Sequence, residues 1–394
     1  MPAAANGGRR LNAEAECLGK ERRMNVADVA RAVESMAPPE LAEEWDNVGL
    51  LVGDAAAAVR KLLVCTDLTE AVLAEALAAR AQMVVAHHPV IFKSIRRVTA
   101  SEAPVVYKAL RRGLAVYAAH TNLDAAPGGP SDVLADVLHL TDRRPLEAIA
   151  RRDQCKVTVF LPPSELSTVA GAAFAAGAGR IGRYRDCGFF CHGLGSYCGG
   201  EGTHPTIGEP GRPEIVEELR LEVLCPRPKA AAVREAIRAA HSYEEPAIDT
   251  YVLEDSPAGC GWGRVGTLRR PVTVQTLIRR LKRATGARKV QLAAPSQKGG
   301  DGRGMLVTTA ACFSGSGGGY YRKALAQGAM LYVTGEMGHH DALDAVAHGM
   351  AVICLGHGHS ERIAMARLAE RLGERLPRLK VVVSKRDRDP YAIV

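Results

Sequence analysis

Six side chains with metal-ligand chemistry lie in three short segments: His87-His88, His120 with Asp124, and His357 with Glu361. Imidazole nitrogens and carboxylate oxygens are donors that divalent transition metals take, with zinc, iron, manganese and nickel all compatible with this set. Each segment follows an apolar run that reads as a buried strand: QMVVA before His87, LAVYAA before His120 and MAVICLG before His357. Ligands at strand ends can converge from distant parts of a chain. The chemistry this opens is cation binding and, through it, hydrolysis by an activated water.

Side chains alternate across a strand, so His87 and His88 can face one site only if the strand stops there. Pro89, which lacks a ladder donor, predicts that stop. His120 is open to two roles, as a ligand or as a group that orients one, while Asp124 offers a carboxylate able to bridge two cations. In GHGHSER, a helix starting near Ser360 places Glu361 and His357 close together at its N-terminus. The turn Ser314-Gly315-Ser316 joins an apolar strand to a helix and predicts an anion-binding loop that holds a substrate phosphate. His340, in a further polar cluster after MLYVT, is the candidate proton shuttle. Cys187, Cys191, His192 and Cys198 lack the paired spacing of a zinc knuckle.

The elements that must carry these groups alternate. VADVARAVESM, TEAVLAEALAAR and PVVYKALRRG read as helices, and KLLVCTD, QMVVAHH and LAVYAAH as strands, which predicts a largely parallel sheet covered on both faces. Such sheets place their sites at the carboxyl ends of the strands. The far end of the chain repeats the plan: EALAARAQMVVAHH (75–88) resembles KALAQGAMLYVTGE (323–336), and GLAVYAAH (113–120) resembles GMAVICLGH (349–357). The fold class expected is therefore α/β, with two related lobes over 25–152 and 255–394 and a metal cleft between them. Residues 153–254 read as β-α-β-β-α-β, the ferredoxin-like order of an inserted α+β domain.

A chain of 394 residues is too long for one ordinary core. The net charge of +8 is spread among acidic neighbours and aromatics are only 5%, which argues against nucleic acid as partner. No apolar run approaches a membrane span. Ten cysteines without a secretory leader predict a cytoplasmic location. Residues 1–24 read as a disordered tail, with Met24 an alternative start.

Taken together, WDNVGLLVG (45–53), AHHPVIF (86–92), HTNLD (120–124), the Gly-Ser turn, TGEMGHHDALDA (334–345) and GHGHSER (356–362) resemble the GTP cyclohydrolase 1 type 2 homologue family, the Nif-like toroid proteins with a dinuclear metal centre. GRIGRYRDCGFF (179–190), HSYEEPAIDTY (241–251) and GRVGTL (263–268) resemble segments of or beside the PII-like inserted domain of its longer members. The resemblance implies two divalent metal ions per subunit held by His87, His88, Asp124, His357 and Glu361, with His120 behind them. It also implies a homohexameric toroid of two facing trimers. The activity implied is hydrolysis of a nucleotide, such as ring opening of GTP by a metal-bridging hydroxide, or of a similar small molecule. The alternative is a non-catalytic toroid for metal handling, sensing or adaptor work, with the insert as regulatory module. Two departures stand out: Glu336 where many members carry Asp, and His-Gly-His-Ser-Glu where a tandem His pair is common.

Overall fold

The computed structural model describes residues 24–149, 154–253, 259–296 and 300–391. The tail expected over 1–24 lies, but for Met24, outside them. Residues 24–148 and 259–391 form one compact unit, and the residues between them a second.

The first unit opens with α1 (Val26–Glu34), β1 (Gly49–Val52), β2 (Lys61–Cys65), α2 (Glu70–Ala78), β3 (Met83–Ala86), α3 (Pro104–Arg111), β4 (Ala115–Ala118), α4 (Thr121–Ala125), α5 (Pro130–Leu138), β5 (Leu140–Arg144) and β6 (Glu147–Ala148). The second unit holds β7 (Gln154–Leu161), α6 (Leu166–Ala175), β8 (Gly188–Cys198), β9 (Pro213–Pro226), α7 (Ala230–Ala240) and β10 (Ile248–Val252). The first unit then resumes with β11 (Gly261–Trp262), β12 (Arg264–Thr273), α8 (Val274–Thr285), β13 (Gln291–Ala293), β14 (Leu306–Phe313), α9 (Tyr321–Ala326), β15 (Leu331–Thr334), α10 (His339–Ala347), β16 (Ala351–Cys354), α11 (His357–Arg375) and β17 (Lys380–Val383).

Local sequence explains these elements. Every residue of β3, β4, β15 and β16 is buried, as expected of parallel strands covered on both faces. In α1 a reciprocal capping box between Asn25 and Asp28 fixes the start, and Val26, Val29 and Val33 bury one stripe. Thr273 caps α8, whose Leu277, Ile278 and Leu281 pack into the second sheet's core.

Two sheets organise the first unit. One runs β1-β4-β3-β2-β17, the other β13-β16-β15-β14-β12-β5. In each, three adjacent strands are parallel (β2, β3, β4 and β14, β15, β16) and an antiparallel strand closes one edge, β1 or β13. The same topology thus occurs twice, and the short self-similarities fall on equivalent strands. The sheets also exchange edges. β17, from the end of the chain, pairs in parallel with β2, and β5, from the first half, pairs with β12. The spans 25–152 and 255–394 therefore do not mark two closed folds; each sheet is completed by the other half. Arg264 on β12 reinforces the join, its buried guanidinium gripping both oxygens of Asp132 on α5 at 2.7 and 2.8 Å.

The second unit is an antiparallel sheet ordered β10-β7-β9-β8. Its β-α-β-β-α-β sequence and central β7–β9 pair are those of a split β-α-β fold. Val169 and Ala173 of α6 and Val233 and Ile237 of α7 pack with Val157, Val159, Leu221 and Val223 of the sheet.

Candidate metal centre

The register of the first sheet sets the site. Cys65, Ala86 and Ala118 lie side by side across β2, β3 and β4. Two residues further along each strand come Asp67, His88 and His120, all at the carboxyl edge. In the second sheet Phe313, Thr334 and Cys354 are aligned in the same way, and two residues on stand Gly315, Glu336 and Gly356. Gly356 adopts φ 88°, a left-handed turn that favours glycine, so α11 starts directly at His357. Glu361, one turn later, shares the face of His357.

These ends bring five of the expected residues together. Glu361 lies at the centre, with Oε1 3.2 Å from His357 Nε2 and 3.9 Å from His87 Nε2, and Oε2 3.3 Å from His88 Nε2. Asp124 Oδ1 is 3.7 Å from His87 Nε2. His120, expected behind the ligands, stands among them: its ring lies 5.3 Å from both His87 and His88, and the three offer ligand atoms within 4.8 Å of one another. His88, His357 and Glu361 form a second such trio. The two groups share His88.

Every imidazole is held by its Nδ1. His87 uses it on the Ala119 carbonyl at 2.8 Å, His88 on Asp67 at 2.8 Å, His120 on Asp46 at 2.8 Å and His357 on Glu336 at 3.3 Å. Metal-binding histidines are oriented in this way, with the other nitrogen presented to the ion. For His87 the tautomer follows, because a carbonyl only accepts: Nδ1 carries the proton and Nε2 a lone pair. That Nε2 is buried without a hydrogen-bond partner, 3.9 Å from Glu361 Oε1 and 3.7 Å from Asp124 Oδ1. A buried polar atom left unpaired costs about 1–3 kcal/mol, and a cation between these atoms removes the cost. The donors fit a divalent metal.

The electrostatics agree. Burial pushes His87 down to about 4, so it is neutral at neutral pH. Burial also pulls on His88, but hydrogen bonds to Asp67 and Glu361 outweigh it and lift this ring to about 10. The hydrogen bond to Glu361 lifts His357 to about 9. Burial, joined by repulsion from Glu361, raises Asp124 well above the carboxylate range. Burial opposes ionisation of Glu361, yet contacts with His357 and His88 hold its carboxyl well below its usual value. Without metal, His88 and His357 therefore carry protons at neutral pH that ligation must expel. Metal affinity is expected to rise roughly tenfold per pH unit for each proton displaced between about pH 6.5 and 8.5. Calorimetry in two buffers of different ionisation enthalpy checks it; binding without proton release would contradict this protonation pattern.

Much of the hydrogen-bonding capacity of the Ser314-Gly315-Ser316 turn, expected to hold an anion, is used within the protein. The Ser314 N–H donates to Ser131 Oγ at 3.2 Å and the Gly315 N–H to Ser360 Oγ at 2.8 Å, so two of its backbone donors are spent internally. Its hydroxyls serve the ligand shell instead: Ser314 Oγ donates to Asp124 at 3.3 Å and Ser316 Oγ to Glu336 at 3.0 Å. His340 is exposed in the first turn of α10, where its ring neighbour is His339. No hydrogen bond, ion pair or ring contact joins His340 to the cluster among the described residues. No cysteine takes part in a metal-ligating trio among them either.

The description of the DUF34/NIF3 (NGG1p interacting factor 3) family matches residues 24–390. The chain belongs to the DUF34/NIF3 family. A GTP cyclohydrolase 1 type 2 homolog of Listeria innocua is 35% identical over 374 residues, covering 93% of this chain and 98% of its own. One from Bacillus subtilis is 33% identical over 377 residues, covering 94% and 99%. Among solved structures, a Bacillus cereus protein related to NIF3 superposes with a TM-score of 0.71 at 31% identity, over 95% of this chain and 100% of its own. Staphylococcus aureus protein SA1388 gives 0.77 at 25% identity, over 94% and 99%.

Carboxylates stand behind three of the histidines at this DUF34/NIF3 site, Asp46 behind His120, Asp67 behind His88 and Glu336 behind His357; of these, Asp46 and Asp67 escape a reading of isolated segments. Asp67 carried a signal, since it ends KLLVCTD as His88 ends QMVVAHH, on strands predicted to be parallel neighbours. Asp46 lies in a loop and is brought in only by tertiary contact, where it also accepts the Thr121 N–H at 3.0 Å. Asp67→Asn is expected to weaken metal binding roughly 10–100-fold, the usual cost of losing an orienting partner. A chelator competition measures it; affinity equal to the parent chain would remove Asp67 from the site.

Beside His120 lies an aromatic edge. Trp45 and Phe92, 59% and 53% exposed, stand edge-on to each other at 5.9 Å, with His120 6.2 Å from Trp45 and 6.5 Å from Phe92. Among the described residues no helix is long and apolar enough to cross a membrane.

Proposed function

We propose that this chain is a dinuclear metal hydrolase acting on a nucleotide or a similarly built small molecule, with ring opening of GTP the first reaction to test. The observation that carries the reading is the buried Nε2 lone pair of His87, without a hydrogen-bond partner and 3.9 Å from Glu361 Oε1 and 3.7 Å from Asp124 Oδ1. His87, His88, Asp124, His357 and Glu361 would hold the ions, and His120 is placed to join them. A bound pair of divalent ions supplies Lewis acidity and a water nucleophile at neutral pH.

The chain's own residues do the rest. Asp46, Asp67, Glu336 and the Ala119 carbonyl fix the four imidazole planes before any ligand arrives, so little reorganisation is left to the reaction. The exposed Trp45 and Phe92 rings offer a planar heterocycle a stacking surface beside His120. That aromatic edge, with the name carried by the relatives, favours a nucleotide over a simple phosphoester. The homohexameric toroid and a PII-like role for residues 153–254 belong to the same proposal, the latter supported by the split β-α-β strand order.

The test is elemental analysis of the purified chain followed by a panel of nucleoside triphosphates, with GTP assayed for formate release. Two metal ions per chain and turnover of a nucleotide are expected. One ion per chain sinks the dinuclear centre. A fully loaded protein that turns over nothing on the panel sinks the enzyme.

A further inference from the structure

The second unit contains a cavity of about 530 Å³, within the size range of small-molecule sites. It lies on the sheet face opposite the helices. Glu218 of β9 falls on that face, out of register with Leu219, Leu221 and Val223, which pack against α6 and α7. Gly195 and Tyr197 of β8 and Phe160 of β7 share it, and Thr203, Pro205 and Thr206 of one loop and Tyr243, Glu244 and Ala247 of another complete the walls. The loops are tied together by the His204 N–H donating to Glu244 Oε2 at 2.8 Å and Thr206 Oγ1 donating to the Ser242 carbonyl at 3.0 Å.

The lining is chemically one-sided. Glu218, Glu244 and Glu245 contribute three carboxylates, and no Lys, Arg or His lines the cavity, although the chain as a whole carries +8. Glu218 matters most, since it is only 9% exposed. Its carboxylate lies flat over Gly195, where a Cβ would come within 2.0 Å of Oε2, so the backbone makes room for that acid. Beside it the Tyr243 hydroxyl is buried against Glu218, and burial together with that carboxylate pushes the phenol well above its ordinary range. The nearby Arg220 does not answer Glu218: it pairs with Glu222 at 2.8 Å and lies over Phe160. A buried carboxylate without a cation is costly, and a cationic ligand beside it offsets that cost.

We propose that this cavity binds a small organic cation, an ammonium or guanidinium on an apolar body, with Glu218 as counter-ion and the rings of Phe160, Tyr197 and Tyr243 as walls. Aromatic faces attract cations through their quadrupole, and their flanks take up the apolar body. A bare metal ion fits less well: the space is far larger than one ion, and no trio of ligating side chains converges there among the described residues.

The experiment titrates the full chain with phenethylamine, agmatine and choline by calorimetry, using phenylacetate as an anion of the same shape as the first. At least one cation is expected to bind with a dissociation constant below about 1 mM and phenylacetate at least tenfold more weakly. Glu218→Gln, which removes the buried charge, is expected to weaken the cation at least tenfold. Tyr197→Ala, at the wall, is expected to weaken it severalfold and serves as the second variant if Glu218→Gln does not fold. Absence of binding by all three cations overturns the proposal. So does equal binding of phenylacetate, or cation affinity unchanged in both variants.

Discussion

Glu361→Ala is expected to lower metal affinity by about three orders of magnitude, roughly 4 kcal/mol at 1.36 kcal/mol per tenfold. Among the described residues, Glu361 is the one carboxylate that meets three imidazoles, those of His87, His88 and His357. It is 3% exposed, so no water can take over its role at the surface. Its loss removes an anionic donor and leaves three imidazoles facing one another. It also releases His357, whose protonation rests first on the Glu361 hydrogen bond. The His357 ring should then titrate closer to an ordinary histidine. Chelator competition gives the affinity and histidine NMR of the metal-free protein gives the titration. Glu361→Gln keeps the shape and separates loss of charge from loss of packing. Retention of parental affinity in both variants would place the metal elsewhere.

Gly315→Ala is expected to weaken metal binding at least a hundredfold although it alters no ligand. Gly315 has φ 65°, and a Cβ there would sit 2.2 Å from Glu361 Oε1. The left-handed backbone alone costs an L-residue about 1–2 kcal/mol. The collision cannot be relieved by turning Glu361 outwards, since its neighbours on the other side are the histidines it must hold. The carboxylate has to leave its position between His87 and His357. Ser316→Ala, one residue on, loses only hydroxyl contacts to Glu336 and His357 and is expected to bind metal within a few-fold of the parent. Metal content after dialysis, compared between these two variants, checks the contrast. Equal retention by both would show that Glu361 has room to move and that Gly315 is an ordinary turn.

The glycine marks the limit of what a linear reading delivers. Ser314-Gly315-Ser316 looks like an anion-binding turn because glycine-rich links between strand and helix so often are. Its actual partners, Ser131, Asp124, Glu336 and Ser360, lie 20 to 190 residues away. Nothing in the local pattern announces them. His120 is a similar case. Its role turns on Asp46, 74 residues away, which holds Nδ1 and leaves Nε2 for the centre.

From the residues alone one reads which side chains offer metal-ligand chemistry and on which kind of element they ride. His87, His88 and His120 end apolar runs too short for helices and too uniformly buried for a one-faced sheet, and parallel strands gather their carboxyl ends on one edge. That inference is local, because burial periodicity is written residue by residue. Tertiary contacts set the exchange of β5 and β17 between sheets, the recruitment of Asp46 and the close approach of Gly315 to Glu361. Those outcomes depend on register and close approach between segments far apart in the chain, and such contacts leave no periodic trace in either partner.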